Sequence, residues 1–332
     1  MNIKKLSEIT GFSQATVSNA LNKKRGVKKA TAEIIWAAAR ENGYITESGL
    51  KNIKLVIYKN SGKVVSDTPF FSVLIEGVES AGRVAGLETA IFNLNRNDPD
   101  YQRLLDQLLN DQSYAIVLLA TEMSDEDIEP FKNISVPMVV LDNWFDHVLF
   151  DSVMIGNTDS VLNAVRYLVE KGHRKIGYIK GRIRIKNFYY REIGYERALR
   201  EANIKPDPRY VFSVMPTSDG SYEELREQLE NNPDMPTAFF ADNDIIALGA
   251  MKALREQGYK IPGKISIIGF DDLPFSTIAT PALTTIRVPK AEMGEIAVRR
   301  LIEIMRGEAK TKLKIQVCSE FIERESVLGR EV

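Results

Sequence analysis

The stretch Leu6-Ser-Glu-Ile-Thr-Gly-Phe-Ser-Gln-Ala-Thr-Val-Ser-Asn-Ala-Leu-Asn22 decides how the chain is read. It predicts a helix from about Lys4 to Thr10, a tight turn at Gly11, and a second helix. Leu6 and Ile9 are expected on the inner face of the first helix. Gly11 suits the sharp, left-handed backbone that a helix-turn-helix needs. Ser13 is placed to cap the second helix with its hydroxyl. Val17, Ala20 and Leu21 fall at i, i+3 and i+4 and face inward. Gln14, Ala15, Ser18, Asn19 and Asn22 are left on the outer face. These are small or amide side chains, which fit a DNA major groove and read base edges. Periodicity alone fits a plain helical hairpin equally well, so the surroundings have to decide.

The charge distribution favours the first reading. The whole chain of 332 residues carries a net charge of −1, but residues 1–54 hold ten Lys and Arg against four Glu. A basic headpiece therefore precedes an acidic body, as expected for a phosphate-binding module joined to a small-ligand domain. The loop Lys23-Lys-Arg-Gly-Val-Lys-Lys29 is placed to contact phosphates and position the helix without reading sequence. A third helix, about Lys29 to Asn42 with Ile34, Ile35, Ala38 and Ala39 on one side, closes a small bundle at Asn42-Gly43. Trp36 reads as packing, and Tyr44-Ile45 docks the chain before a linker from Thr46 to Asn52.

From Ile53 onward short apolar runs alternate with amphipathic helices. Strands are expected at 53–58, 88–93, 115–119, 137–141, 175–179, 210–214, 237–241 and 266–270, with a last helix from Lys290 to Arg306. This alternation predicts an α/β body of doubly wound parallel sheets. The strands are too many for one compact sheet, so two lobes are expected. Lobe 1 spans about 53–150 plus 288–312, and lobe 2 about 151–282 plus 313–330. A ligand cleft is expected at the C-terminal ends of their strands. One cysteine, Cys318, rules out an intramolecular disulfide and points to a reducing compartment. No apolar run reaches the length of a membrane span, and the N-terminus lacks a signal-like apolar region. The expected location is the cytoplasm, with no membrane partner.

These features resemble the lactose-repressor/galactose-repressor family of bacterial transcription regulators. The headpiece carries Ser13-Gln-Ala-Thr-Val-Ser-Asn-Ala-Leu-Asn22. The body carries Thr68-Pro-Phe-Phe71, Lys171-Gly-His-Arg-Lys-Ile176, Arg191-Glu-Ile-Gly-Tyr195 and Ala241-Asp-Asn-Asp-Ile-Ile-Ala-Leu-Gly249. Ile268-Gly-Phe-Asp-Asp272 and Pro281-Ala-Leu-Thr-Thr-Ile286 follow in family order. The resemblance implies a helix-turn-helix headpiece on a periplasmic-binding-protein-like body of two lobes. It implies a homodimer on palindromic double-stranded operator DNA, most often repressing, and a small effector between the lobes that changes their angle. Ser13, Gln14, Ala15, Thr16, Ser18, Asn19 and Asn22 would face DNA, with Lys23 and Lys28 at phosphates. Family members usually continue with Pro-Asn-x-x-Ala-Arg-x-Leu, a hinge helix whose Leu wedges into the minor groove. This chain reads Thr46-Glu-Ser-Gly-Leu-Lys-Asn52 instead. Gly49 and Glu47 disfavour that helix, and Leu50 is the one residue left to act as a wedge. The recognition helix also has Asn19 where Arg is frequent, and an amide prefers adenine where Arg prefers guanine.

Arg191 and Asp271 are the two charges expected in the cleft, where in the family the matching pair binds ligand hydroxyls or ring heteroatoms. An Arg fork and a carboxylate together satisfy vicinal hydroxyls of a sugar. Asn187 lies one turn before Arg191, on the same helix face. Asn243 and Asp142 end strands, and Phe70, Phe71 and Trp144 are candidate aromatic walls. Competing readings stand beside these: an Arg191–Asp271 ion pair, Asn243 as a helix cap, Phe71 as core. Many relatives stack a ligand ring on an aromatic after the strand at 210–214. That position falls on Pro216 here, which favours a sugar or sugar derivative over a nucleobase. The rival classes are a cytoplasmic small-molecule-binding protein, an enzyme of sugar metabolism and a transport receptor. For an enzyme, the sequence has only His147 and His173, no metal-ligand spacing, no nucleophile elbow and no phosphate loop. No cofactor or metal is expected.

Overall fold

The computed structural model describes residues 3–21, 27–41, 50–66, 68–231 and 233–330. Asn22, Lys23, the stop at Asn42-Gly43, Tyr44-Ile45 and hinge residues 46–49 lie outside the described residues, as does the side chain of Trp36. The headpiece is α1 (Ile3–Thr10), α2 (Gln14–Leu21) and α3 (Lys29–Glu41). Gly11 turns the chain at φ +72°, and the Ser13 hydroxyl accepts the Thr16 amide at 3.1 Å, capping α2. Leu6, Val17, Ala20, Ile35 and Ala39 form a separate small core. Ile9 and Ile34, expected inward, are 46% and 54% exposed. Short helices in a small bundle bury one narrow stripe each, and Leu6 and Ile35 already occupy it.

The body begins with β1 (Asn52–Lys59), α4 (Phe70–Val84), β2 (Glu88–Asn95), α5 (Tyr101–Asn110), β3 (Ala115–Leu119), β4 (Met138–Leu141) and β5 (Asp151–Ile155). The chain then enters the second lobe through α6 (Asn157–Glu170), β6 (Ile176–Gly181), α7 (Lys186–Glu201), β7 (Val211–Val214) and α8 (Ser218–Leu229). That lobe continues with β8 (Ala238–Ala241), α9 (Asp244–Glu256), β9 (Ser266–Ile268) and α10 (Pro274–Ile278). The last elements are β10 (Thr285–Arg287), α11 (Lys290–Met305), β11 (Lys314–Val317) and β12 (Glu320–Ile322).

Two parallel sheets result. The first has the order β11-β5-β4-β3-β1-β2 and the second β7-β6-β8-β9. Their interior strands read as near-continuous apolar runs because helices cover both faces, as in β3, where every residue is buried. The lobe limits differ from those read off the sequence. Residues 151–155 and 314–317, assigned to lobe 2, pair as β5 and β11 in the first-lobe sheet. Asp151 explains both shifts. Its buried carboxylate takes the Arg300 Nε at 2.7 Å, the Leu313 amide at 3.0 Å and Lys312 at 3.0 Å. One anion thus ties α11 and the start of β11 to β5. The chain crosses between lobes at 155–157 and through β10 and β12, which pair antiparallel. Asp272, held by Arg287 and Arg324 at 2.7 and 2.6 Å, fixes this ribbon.

The last helix packs back on the first lobe, along α4, with the two backbones touching. A Cβ built on Gly77 would lie 2.1 Å from the Ala291 carbonyl oxygen, and one on Gly294 2.5 Å from that of Leu74. Only glycine permits this approach. Gly77→Ala is expected to force the helices apart and lower stability by about 1–3 kcal/mol, as overpacking does. Urea unfolding of the full chain measures it, and an unchanged midpoint contradicts the close packing.

Candidate functional site

The cleft lies where the C-terminal ends of β1, β3 and β4 face α7 and the loops after β8 and β9. Phe70, Thr121, Asp142, Asn187, Arg191, Asn243 and Asp271 line it, with Val64, Thr68, Phe71, Ile155, Ile185 and Phe188. The open space is small, about 20 Å³, which is room for one or two waters and not for a sugar. A ligand of that size requires the lobes to separate. A depression of about 530 Å³ between α9 and α10 is larger, but it lies on the outer face of the second lobe, away from the strand ends.

A chain of buried hydrogen bonds crosses the cleft. Asp142, at the end of β4, accepts from the Thr121 hydroxyl at 2.6 Å and from the Asn187 amide at 2.9 Å. Asn157 donates to the Asn187 oxygen at 2.8 Å and accepts from the Arg191 Nε at 2.9 Å. Arg191 continues to the Asp242 carbonyl at 2.5 Å and lies 3.6 Å over the Phe270 ring. Its remaining nitrogen sits 3.5 Å from Asp271, too long for a good hydrogen bond, and that Asp271 oxygen is buried with no hydrogen-bond partner. It is the acceptor with most to gain from a ligand hydroxyl.

Both carboxylates sit on a left-handed backbone, Asp142 at φ 62° and Asp271 at φ 108°. Outside glycine this strain costs on the order of 1–3 kcal/mol and collects at functional sites. Burial pushes Asp142 up to about 6, against the hydrogen bonds from Thr121 and Asn187. Burial also pushes Asp271 up to about 6, with the Arg191 charge opposing it. Asp244, at the start of α9, rises to about 7 through burial and the nearby Asp271. It accepts from the Leu273 amide and the Ser276 and Thr285 hydroxyls.

In the headpiece, Ser13, Gln14 and Ala15 are exposed on one side of α2, with Thr16, Ser18 and Asn19 half-exposed and Lys28 exposed beyond the helix. Val17 and Ala20 anchor the opposite face in the small core.

Residues 165–327 match the periplasmic binding protein-like domain. The HTH-type transcriptional repressor PurR of Pasteurella multocida is 30% identical over 99% of both chains. The HTH-type transcriptional repressor CytR of Escherichia coli is 33% identical over 89% of this chain and 87% of its own. This chain belongs to the lactose-repressor/galactose-repressor family. It is a DNA-binding transcription regulator. Among solved structures, the transcriptional regulator CelR in complex with cellobiose aligns at a TM-score of 0.76 and 26% identity, covering 98% of this chain and 99% of that one. A LacI family regulator from Enterococcus faecium with bound ribose aligns at 0.72 and 25% identity, covering 85% and 100%.

Within this LacI-family body, six of the seven effector residues expected from sequence converge on the cleft: Phe70, Asp142, Asn187, Arg191, Asn243 and Asp271. Trp144 does not. The turn at Asp142 carries it outward, where its ring packs 4.7 Å from Tyr190 and its carbonyl accepts from Lys186. Asn243 both lines the cleft and caps α9, accepting the Ile246 amide at 3.0 Å. Phe71 lines the cleft and belongs to the core as well. Pro216 is buried against Gly181 and does not line the cleft. Leu50 packs on the body's core two residues before β1. His173 is structural, bonded to the Thr237 hydroxyl and the Leu328 carbonyl. Thr121 and Asn157 were not singled out by sequence. Asn157 follows a strand that the pattern hid.

The raised carboxylates give a pH prediction. Asp244 binds its proton more tightly folded (about 7) than in its ordinary state (3.8), so its stabilising contribution is present at low pH and lost as pH rises through about 7. The slope approaches about 1.4 kcal/mol per pH unit for one proton. Asp244→Asn, which imitates the protonated acid, should make stability fall less steeply between pH 5 and 7 in urea titrations, by about one proton's slope, with Asp142 and Asp271 still contributing below about 6. A wild-type slope in the variant contradicts this assignment.

Proposed function

We propose that this regulator is a cytoplasmic repressor that binds a palindromic operator as a homodimer and responds to a sugar or sugar derivative held between its lobes. The observation that carries the effector class is the convergence of Arg191, Asp271, Asp142 and Asn187 from both lobes. An Arg fork, two carboxylates and an amide offer donors and acceptors in the mixture that vicinal hydroxyls need. The apolar wall of Phe70, Ile155 and Phe188 suits the C–H face of a pyranose or furanose. The cellobiose and ribose bound to two related regulators support the same class.

The mechanism follows from the fold. A ligand bridging Asp142 of the first lobe to Asn187, Arg191 and Asp271 of the second sets the angle between the lobes, and the first lobe carries the headpiece. Two headpieces on one operator must match a fixed half-site spacing, so a change of angle changes affinity. In the headpiece, Gln14, Ala15, Ser18 and Asn19 read bases, while Ser13, Thr16 and Lys28 contact the backbone. Asn22 and Lys23 extend that face by sequence.

A thermal-shift screen against mono- and disaccharides, sugar phosphates and nucleobases tests the effector class. One sugar should raise the unfolding midpoint, adding about 2.7 kcal/mol of stability at a hundred times its dissociation constant. Arg191→Ala should abolish that shift while keeping its own cooperative transition. A nucleobase hit in place of any sugar would overturn the ligand class.

A further inference from the structure

The loop between β1 and α4 is built around a buried carboxylate that the proposed mechanism does not use. Glu122, just beyond β3, points into this loop and collects its backbone amides. One oxygen accepts from Asn60, Ser61 and Gly62 at 2.9, 2.7 and 2.8 Å, and the other from Val64 and Val65 at 3.0 and 3.1 Å. Gly62, at φ +69°, gives the bend that turns these amides inward. Burial of Glu122 pushes its carboxyl up, but the amides of Gly62, Val65, Val64 and Ser61 together outweigh that and hold it below the usual range.

The loop's cargo is Val64. Its side chain is 5% exposed and forms an apolar cluster with Ile185 and Phe188. Those two residues stand at the start of α7, in the opposite lobe, directly beside Asn187 and Arg191. Val64, Ile185 and Phe188 all line the cleft. The loop therefore spans from one lobe to the other and covers the polar chain on its apolar side.

We propose that residues 60–65 form an effector gate: a strap, pinned to the first lobe by Glu122, that holds the cleft closed by seating Val64 against Ile185 and Phe188, a contact that must break as the lobes separate for an effector to enter. The gate rests on the cleft being the effector site. Glu122 is a positioning residue here, acting through the amides it holds. A ligand admitted past the strap presents an apolar edge to Val64 and its hydroxyls to Arg191, Asp142 and Asp271.

The test needs no effector, so its failure leaves the sugar reading standing, and an empty sugar screen leaves the strap standing. In a Cys318→Ser full-length background, Val64→Cys is labelled with a neutral maleimide, with and without Glu122→Gln. The glutamine places an NH2 donor where two or three amides need an acceptor. The Val64→Cys thiol should react at least about tenfold more slowly than a free thiol, and Glu122→Gln should recover most of that factor. Hydrogen exchange on the unmodified wild-type chain gives an independent reading, with slow exchange expected at amides 60–62, 64 and 65. Free-thiol labelling without Glu122→Gln, equal labelling rates with and without it, or unprotected wild-type amides would each overturn the strap. If Glu122→Gln prevents folding, the wild-type exchange and the single-variant labelling still decide.

Discussion

Everything in the body turns on how Arg191 is held. A guanidinium that is almost fully buried needs its donors placed, and here they run to Asn157, to the Asp242 carbonyl and toward Asp271. Asn157 passes the constraint to Asn187, and Asn187 to Asp142 in the other lobe. Two lobes with separate sheets are thereby joined by a short polar path whose members have few alternatives in a low-dielectric interior. The weak link is the Arg191–Asp271 contact. It leaves one carboxylate oxygen without a donor, so a ligand has something to offer at that point in the chain.

The rest of the fold makes that path consequential. Among the described residues, the lobes are connected covalently only by thin crossings, one at 155–157 and the others through the β10–β12 ribbon. Such crossings bend easily, while the sheets on either side, with helices packed on both faces, do not. Contacts at the cleft rim then set the angle. Lys186 reaches Asp125 and the Trp144 carbonyl at 2.9 and 2.8 Å on one side, and Val64 meets Phe188 on the other. All of the opposing groups stand on the first two turns of α7. This helix end is one place where the second lobe meets the first, and the Asp271 carbonyl, held by Lys290 of α11, is another.

Much of this was legible in the sequence because it depends on periodicity and on strand ends. Arg191 and Asn187 share a helix face at i, i+4, and Asp142 and Asp271 follow apolar runs, so the polar half of the cleft could be read residue by residue. What was missed depends on geometry that no period encodes. β5 opens with Asp151 and Ser152, polar residues buried only because Arg300, Lys312 and a backbone amide meet Asp151. Without β5 the lobe boundary slipped, and Asn157 looked like linker. Trp144 sits two residues from Asp142 and reads as a cleft aromatic until the left-handed turn at Asp142 sends it away. The contact between Glu122 and residues 60–65 joins segments about sixty positions apart through backbone amides, which carry no side-chain signature at all.

The claim that one polar chain sets the lobe angle is tested most directly by a distance between the lobes. Spin labels at Gln107→Cys on α5 and Glu227→Cys on α8, both exposed, in a Cys318→Ser background, report that distance by pulsed electron resonance. The account predicts a narrow distribution with Asn187 intact and a longer, broader one with Asn187→Ala, since that change cuts the chain between Asp142 and Asn157. Identical distributions in the two proteins would contradict it and leave the lobe angle to the crossings alone.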